Sequence, residues 1–248
     1  MENLVVSIIT VCYNSASTIE QTIQSVLQQS YKHIEYIIVD GDSNDGTVEI
    51  IKKYLPHVSK FISEPDKGIY DAMNKGIQNA NGEIVGILNS DDLFFDKEII
   101  SKIVNAFVDN NTEVVYGNIV MSKHVNMSKP IRRWIAGKAK SFKWGWHPPH
   151  PGLFVRKSVY DKYGLYNIGY NVSADFDLML RLFYVHKVTS YYLNEFIVNM
   201  RIGGESTGSL KNILQGNINI RKSFKNNNVG YIWFYPYIRI VKKILQFI

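Results

Sequence analysis

The sequence predicts an α/β fold in which a largely parallel sheet is covered by helices on both faces. Three observations carry that expectation. Strand-like and helix-like patterns alternate four times in about 90 residues. Polar residues gather after each of the four strand-like segments, and open α/β sheets bind ligands beyond the carboxyl ends of their strands. The chain has 248 residues, 46% hydrophobic and 20% charged, which describes a globular protein long enough to bury a proper core.

Taken in order, Val5–Val11 is an apolar strand running into Cys12-Tyr13-Asn14-Ser15. A helix follows through Ile19, Ile23, Val26 and Leu27, with Ser15 or Ser17 as its N-cap. The second strand, Ile34–Asp40, ends in the turn-rich acidic loop Asp40-Gly41-Asp42-Ser43-Asn44-Asp45-Gly46-Thr47, before a helix through Val48, Ile51 and Leu55. Val58–Ser63 is a third strand, and Gly68–Ala80 a third helix whose apolar Ile69, Met73 and Ile77 recur every four residues. The fourth strand, Ile84–Leu88, ends at Asn89-Ser90-Asp91-Asp92. Two like charges at the mouth of a buried strand repel each other, and a hard divalent cation held by oxygen ligands relieves that repulsion. The alternative is a solvated acidic pair ahead of a helix starting near Asp96. A helix over Lys97–Val108 and a strand at Glu113–Tyr116 complete the regular pattern.

Beyond this point the composition changes. Residues 1–120 hold 8 Lys/Arg against 17 Asp/Glu, a net −9, whereas residues 121–248 hold 20 against 5, a net +15. The basic half admits nucleic acid or an anionic membrane surface as partner. Residues 121–160 combine nine Lys/Arg with Trp134, Trp144 and Trp146. His147-Pro148-Pro149-His150-Pro151 is too proline-rich for a helix; with no third ligand nearby, its histidines read as loop packing or contacts to an anionic substrate rather than a metal site. Ser173 opens a helix in which Leu178, Leu182 and Val185 face inward. Asp175 and Asp177 are either first-turn carboxylates favoured by the helix dipole or, for one of them, a base in the cleft. Arg201-Ile202-Gly203-Gly204-Glu205-Ser206-Thr207 reads as a flexible glycine loop whose backbone amides suit a phosphate. The segment from Tyr231 to Ile248 is aromatic and basic but too interrupted to span a membrane. It reads as a helix lying in a membrane interface, the alternative being a helix docked on its own domain.

Several classes are disfavoured. A single cysteine, Cys12, rules out an internal disulfide and fits a reducing compartment. The N-terminus runs straight into a strand pattern with no secretory signal. There is no GxGxxG and no GxxxxGK[ST], which disfavours the dinucleotide and P-loop versions of a nucleotide site.

Two longer motifs then stand out, Asp40-Gly41-Asp42-Ser43-Asn44-Asp45-Gly46-Thr47 and Glu64-Pro65-Asp66-Lys67-Gly68-Ile69-Tyr70-Asp71-Ala72-Met73-Asn74. Together with Asn89-Ser90-Asp91-Asp92, they resemble the family 2 glycosyltransferases of GT-A fold, within them the bacterial O-antigen and capsule group. Motif matches run from Ser7 to about Thr207. The resemblance implies a donor-binding half over residues 1–118, an acceptor-binding half over 119–208 and a basic amphipathic helical segment over 209–248. By position, Thr10, Tyr13 and Asn14 line the nucleotide pocket, and Asp40 or Asp42 reads the base. Lys67 and Asn74 lie beside the donor, Asp91 and Asp92 hold the ribose and a Mn2+ or Mg2+ ion, and Asp175 is the catalytic base. Two departures are visible. Many relatives have Asp-Asp-Gly-Ser where this chain has Asp40-Gly41-Asp42-Ser43, and the usual Asp-x-Asp is Asn89-Ser90-Asp91.

The implied reaction moves a hexose, with inversion, from a nucleoside diphosphate sugar, expected to be a UDP-sugar. The implied acceptor is a saccharide on a polyprenyl diphosphate lipid at the cytoplasmic membrane face, where the enzyme would sit peripherally. No covalent nucleophile is needed, in keeping with the lack of a Ser/His/Asp or Cys/His arrangement. A sugar-phosphate nucleotidyltransferase would carry a glycine-rich basic loop after its first strand, and Val11-Cys12-Tyr13-Asn14-Ser15 is not one. A non-catalytic nucleic-acid module explains the basic half but not polar residues at four strand ends.

Overall fold

The computed structural model describes residues 4–123, 130–202 and 210–238. The first half follows the expected alternation: β1 (Val6–Cys12), α1 (Ile19–Leu27), β2 (Ile34–Asp40), α2 (Thr47–Lys52), β3 (Lys60–Ser63), α3 (Ile69–Asn79) and β4 (Ile84–Ile87). Then come β5 (Leu93–Phe94), α4 (Ile99–Asn110), β6 (Val114–Ser122), β7 (Pro130–Trp134), β8 (Leu153–Arg156), α5 (Lys157–Tyr163), α6 (Ala174–Met179), β9 (Ser190–Arg201) and α7 (Leu210–Asn226).

One sheet carries all nine strands in the order β3-β2-β1-β4-β8-β6-β9-β5, with β7 paired to β6. Strands β3, β2, β1 and β4 are parallel, as the alternation requires. The rest is mixed: β8 runs antiparallel to β4 and β6, β9 is parallel to β6, and β5 is antiparallel to β9. The expectation of a mostly parallel sheet therefore holds for one half only. Parallel neighbours need a crossover, usually helical, and the regular strand-helix alternation ends at α4.

The strands bury both faces because their apolar residues alternate. Ile9, Val11, Ile37 and Val39 meet Ala72, Met73 and Ile77 of α3, and Val6, Ile8 and Ile38 meet Ile19, Ile23, Ile103 and Phe107 of α1 and α4. The α3 side continues into an aromatic cluster in which Phe142 packs on Trp146, Phe176 and Phe183.

Several local expectations are corrected. Thr18, not Ser15 or Ser17, stands at the N-cap of α1, and Leu27 faces solvent. Helix α2 ends at Lys52, and Leu55 opens a separate 3-10 turn, Leu55–His57, with Pro56 in its first positions, where a missing N–H costs nothing. In α3 the inward residues are Ala72, Met73, Gly76 and Ile77, and Ile69 lies outside. Strand β6 runs on through Gly117 to Ser122, and β9 approaches Gly117 so closely that a Cβ there would sit 2.6 Å from Ile197. Leu178 and Leu182 are fully buried as expected, but Val185 is exposed at the end of a π-helical turn. No described helix is long and apolar enough to cross a membrane. As far as it is described, the C-terminal segment docks on the domain: Tyr235 is buried against Phe176, Phe224 and Tyr231, while Trp233 and Tyr237 face solvent. Residues 239–248 and the glycines of the expected phosphate loop, Gly203 and Gly204, lie outside the described residues.

Candidate active site

The carboxyl ends of β1, β2 and β4 are laced into one surface by short polar side chains. Asn14 takes the left-handed conformation (φ 47°), and its N–H donates to Ser43 Oγ at 2.8 Å while its Oδ1 accepts from Asn44 N at 3.1 Å. Ser15 N–H donates to Thr47 Oγ1 at 2.7 Å, and the Ser15 and Ser90 hydroxyls lie 2.8 Å apart. The polar ends of β1, β2 and β4 thus form one floor, with Tyr13 standing 63% exposed upon it.

The expected donor residues divide into exposed groups and supports. Thr10 does not line a pocket: it is fully buried and accepts a hydrogen bond from Tyr36 Oη at 3.1 Å. Asp40 is also fully buried, accepting from Ser43 N at 3.1 Å and Ser63 Oγ at 2.8 Å, and it fixes the loop after β2. Burial, reinforced by the charge of Asp40, pushes the Cys12 thiol far above its ordinary range. Asp42 is exposed in a left-handed conformation (φ 69°). Lys67 is exposed at the start of α3 and borders a groove of about 260 Å³ with Gly68, Tyr70, Ile168 and Tyr170. Asn74 exchanges two hydrogen bonds with the Tyr166 backbone, at 2.9 and 3.0 Å, so its side chain ties α3 to the second half of the chain.

Asp91 and Asp92 also differ. Asp92 is 1% exposed, and its oxygens accept from Arg201 N and Asn89 Nδ2, each at 3.2 Å. Asp91 is half-buried. Burial raises both carboxyls, that of Asp92 well above the usual range because the Asp91 charge adds to it, while the nearby Arg201 guanidinium pulls both down. Asn89 Oδ1 is buried with no hydrogen-bond partner. Among the described residues no three His, Cys, Asp or Glu side chains converge on a metal position. The Asp91 carboxylate and the orphaned Asn89 carbonyl are nevertheless hard oxygen donors of the kind Mg2+ and Mn2+ take, so the local chemistry fits a cation. The sequence expectation that Asp92 supplies the missing carboxylate meets a side chain already bonded on both oxygens.

These shifts set a pH dependence. A carboxyl raised in the folded state favours folding below its unfolded value near 3.9, and that contribution is lost as pH rises through the folded value. A cation bound there at neutral pH would offset the loss. Millimolar Mn2+ is expected to raise the unfolding temperature, by the equivalent of about 2.7 kcal/mol once about 100-fold above its Kd. The gain should shrink as pH falls through the raised values and vanish in Asp91→Ala; differential scanning calorimetry across pH checks this.

Across the floor, α6 presents its two carboxylates differently. Asp177 is buried against Arg181 (3.2 Å) and Asn227 (3.0 Å). Asp175 is half-buried and accepts a hydrogen bond from Tyr70 Oη at 3.2 Å. Tyr70 stacks on Tyr166, whose hydroxyl lies 2.6 Å from His150 Nε2. Burial lowers the His150 pKa, the charge of Asp175 opposing it. His147 instead packs edge-on against Trp134 and Phe176. Tyr70 stands in the quoted motif without a role of its own, and Tyr166 lies in the irregular stretch between α5 and α6, where no periodicity singles it out.

The family model described as Glycosyl transferase family 2 matches residues 7–169. The chain belongs to that family. An uncharacterized glycosyltransferase of Mycobacterium tuberculosis is 30% identical over 184 residues, covering 71% of this chain and 68% of the relative. A PGL/p-HBAD biosynthesis glycosyltransferase of Mycobacterium bovis is 27% identical over 214 residues, 77% of each chain. Among solved structures, Staphylococcus aureus TarS 1-349 in complex with UDP superposes with a TM-score of 0.69 at 17% identity, over 92% of this chain and 67% of that one. The mannosyltransferase PcManGT from Pyrobaculum calidifontis, in complex with GDP-Man and Mn2+, gives 0.66 at 18%, over 94% and 67%. The fold of this family 2 glycosyltransferase is accordingly GT-A, with a mixed sheet.

Proposed function

We propose that this glycosyltransferase moves a hexose from a UDP-sugar, with inversion, to a hydroxyl of a lipid-linked saccharide during assembly of a surface polysaccharide of the O-antigen or capsule kind. The observation that carries the proposal is Asp175, half-buried and held by a hydrogen bond from Tyr70, which itself lines the groove at the start of α3. In this reading Asp175 takes the acceptor proton as the acceptor oxygen bonds to the anomeric carbon and the bond to the diphosphate breaks, so the configuration inverts. Tyr13, Asn14 and Lys67 border the donor. Asp91 with Asn89 would hold a Mn2+ or Mg2+ ion, which when bound supplies Lewis-acid neutralisation of the departing diphosphate. Asp92 anchors the Asp91 loop to β9.

The lipid-linked acceptor draws support from the +15 half and from exposed aromatics on one surface. Trp144 and Trp233 flank Phe234 at ring distances of 6.3 and 5.5 Å, and Trp144, Trp233 and Tyr237 are all exposed. Aromatic and basic side chains together suit an anionic membrane interface, here the inner face of the cytoplasmic membrane. The test is a panel of UDP- and GDP-sugars with Mn2+, reading released nucleotide with and without polyprenyl diphosphate saccharide in anionic vesicles. Release that depends on a UDP-sugar and rises with the vesicles is expected. Failure to release nucleotide from any donor overturns the assignment, and indifference to the vesicles overturns its acceptor half.

A further inference from the structure

We infer that His150 is a positioning residue for Asp175: acting through Tyr166 and Tyr70, it fixes the carboxylate with one oxygen bonded and the other left for a proton. The inference rests on the reading of Asp175 as proton acceptor given above, and adds the residues that aim it. Among the described residues Asp175 takes one hydrogen bond, on Oδ1 from Tyr70 Oη at 3.2 Å. A carboxylate held by a single hydroxyl is only as well placed as that hydroxyl.

The Tyr70 ring has a support of its own. It stacks on Tyr166, with ring centres 5.7 Å apart and planes 25° from parallel. Tyr166 is in turn held at both ends. Its backbone N–H and carbonyl bond the side chain of Asn74, at 3.0 and 2.9 Å, one turn along α3 from Tyr70. Its hydroxyl lies 2.6 Å from His150 Nε2, and the two rings meet edge to face at 5.6 Å. Tyr160 of α5 also bonds that hydroxyl. Tyr166 is only 4% exposed, so water does not replace a partner lost at this end.

The sequence around His150 makes it a rigid support. His150 opens the 3-10 turn His150–Gly152, with Pro149 at its N-cap (φ −68°) and Pro151 inside it, directly before β8. The two proline rings fix φ on either side of the histidine. Strand β8 is paired to both β4 and β6, so the imidazole is rooted in the same sheet as the strand-end floor. The side-chain chemistry suits the task as well. Burial lowers the His150 pKa against the opposing charge of Asp175, which favours the neutral ring. A neutral imidazole holds Tyr166 without setting a cation where it would stabilise the Asp175 charge and weaken its pull on a proton.

The experiment compares single-turnover nucleotide release, from the donor selected by the panel above with Mn2+ and vesicle-borne saccharide, with UDP affinity from calorimetric titration. It uses the native chain, His150→Phe, His150→Gln, Tyr166→Phe, the His150→Phe/Tyr166→Phe double variant and Asp175→Asn, with thermal unfolding to verify that each is folded. His150→Phe and Tyr166→Phe should each lower the rate about 10- to 100-fold, the loss expected when a reacting group moves by about 1 Å, with UDP affinity within about twofold. His150→Gln brings a side-chain amide to the position of Nε2 and should restore most of the rate. The double variant should cost no more than the larger single loss, because both substitutions cut the same link. Rates within twofold of native in both His150→Phe and Tyr166→Phe overturn the assignment. So do additive losses in the double variant, a loss in His150→Phe that His150→Gln shares in full, or a loss confined to UDP affinity. Unchanged turnover in Asp175→Asn overturns the reading of the base itself, and is seen independently of the His150 series.

Discussion

Asp175→Asn is expected to lower turnover by about 10²–10⁴ while leaving UDP affinity within about twofold, because the substitution removes a proton acceptor without removing volume. The amide oxygen can still accept from Tyr70, so the 3.2 Å contact and the stacking of Tyr70 on Tyr166 survive. That feature makes the variant clean: a loss of rate reports chemistry rather than a rearranged helix. Single-turnover rates set beside titrated UDP affinity check it. Unchanged turnover would remove Asp175 from the chemistry, and a parallel loss of UDP binding would make it a structural group.

Two residues along the same helix, the opposite result is expected. Asp177→Ala should destabilise the fold by about 3–5 kcal/mol, because it leaves the Arg181 guanidinium largely buried with its charge uncompensated. Arg181 bonds simultaneously to Asp177 and to the backbone carbonyls of Tyr163 and Leu165, and Asp177 also accepts from Asn227 beyond the end of α7. One carboxylate thus joins three separate stretches of chain. Urea unfolding with an unchanged m-value measures the loss, and Asp175→Ala, whose partner is a single tyrosine hydroxyl, serves as the contrast at about 1 kcal/mol. A loss below that for Asp177→Ala would mean the ion pair is not holding the α6 region.

The contrast between these neighbours shows where the sequence was legible. Periodicity located β1, β2, α3 and β4 to within a residue or two, because both faces of the parallel half are apolar and each crossover is local. Motif resemblance singled out Asp175 from Asp177, but nothing in the spacing of the two carboxylates says which one turns to Arg181. The same holds for Asp40 and Thr10. Both lie at a strand end, yet their depth depends on partners 3 to 26 residues away, Ser43, Ser63 and Tyr36. Strands β8 and β9 escaped the reading for a different reason: they pair with segments some 40 to 105 residues distant, and such pairing leaves little trace in local pattern.

The joint between β4 and β8 has a mechanical consequence. Ile84, Val85 and Gly86 pair with Arg156, Val155 and Phe154, and β8 pairs onward with Val114–Tyr116 of β6. The floor that carries Tyr13 and Asp91 and the half that carries Asp175 are therefore parts of one continuous plate. A plate of this kind has no hinge, since swinging one half away from the other would tear a ladder of buried backbone hydrogen bonds.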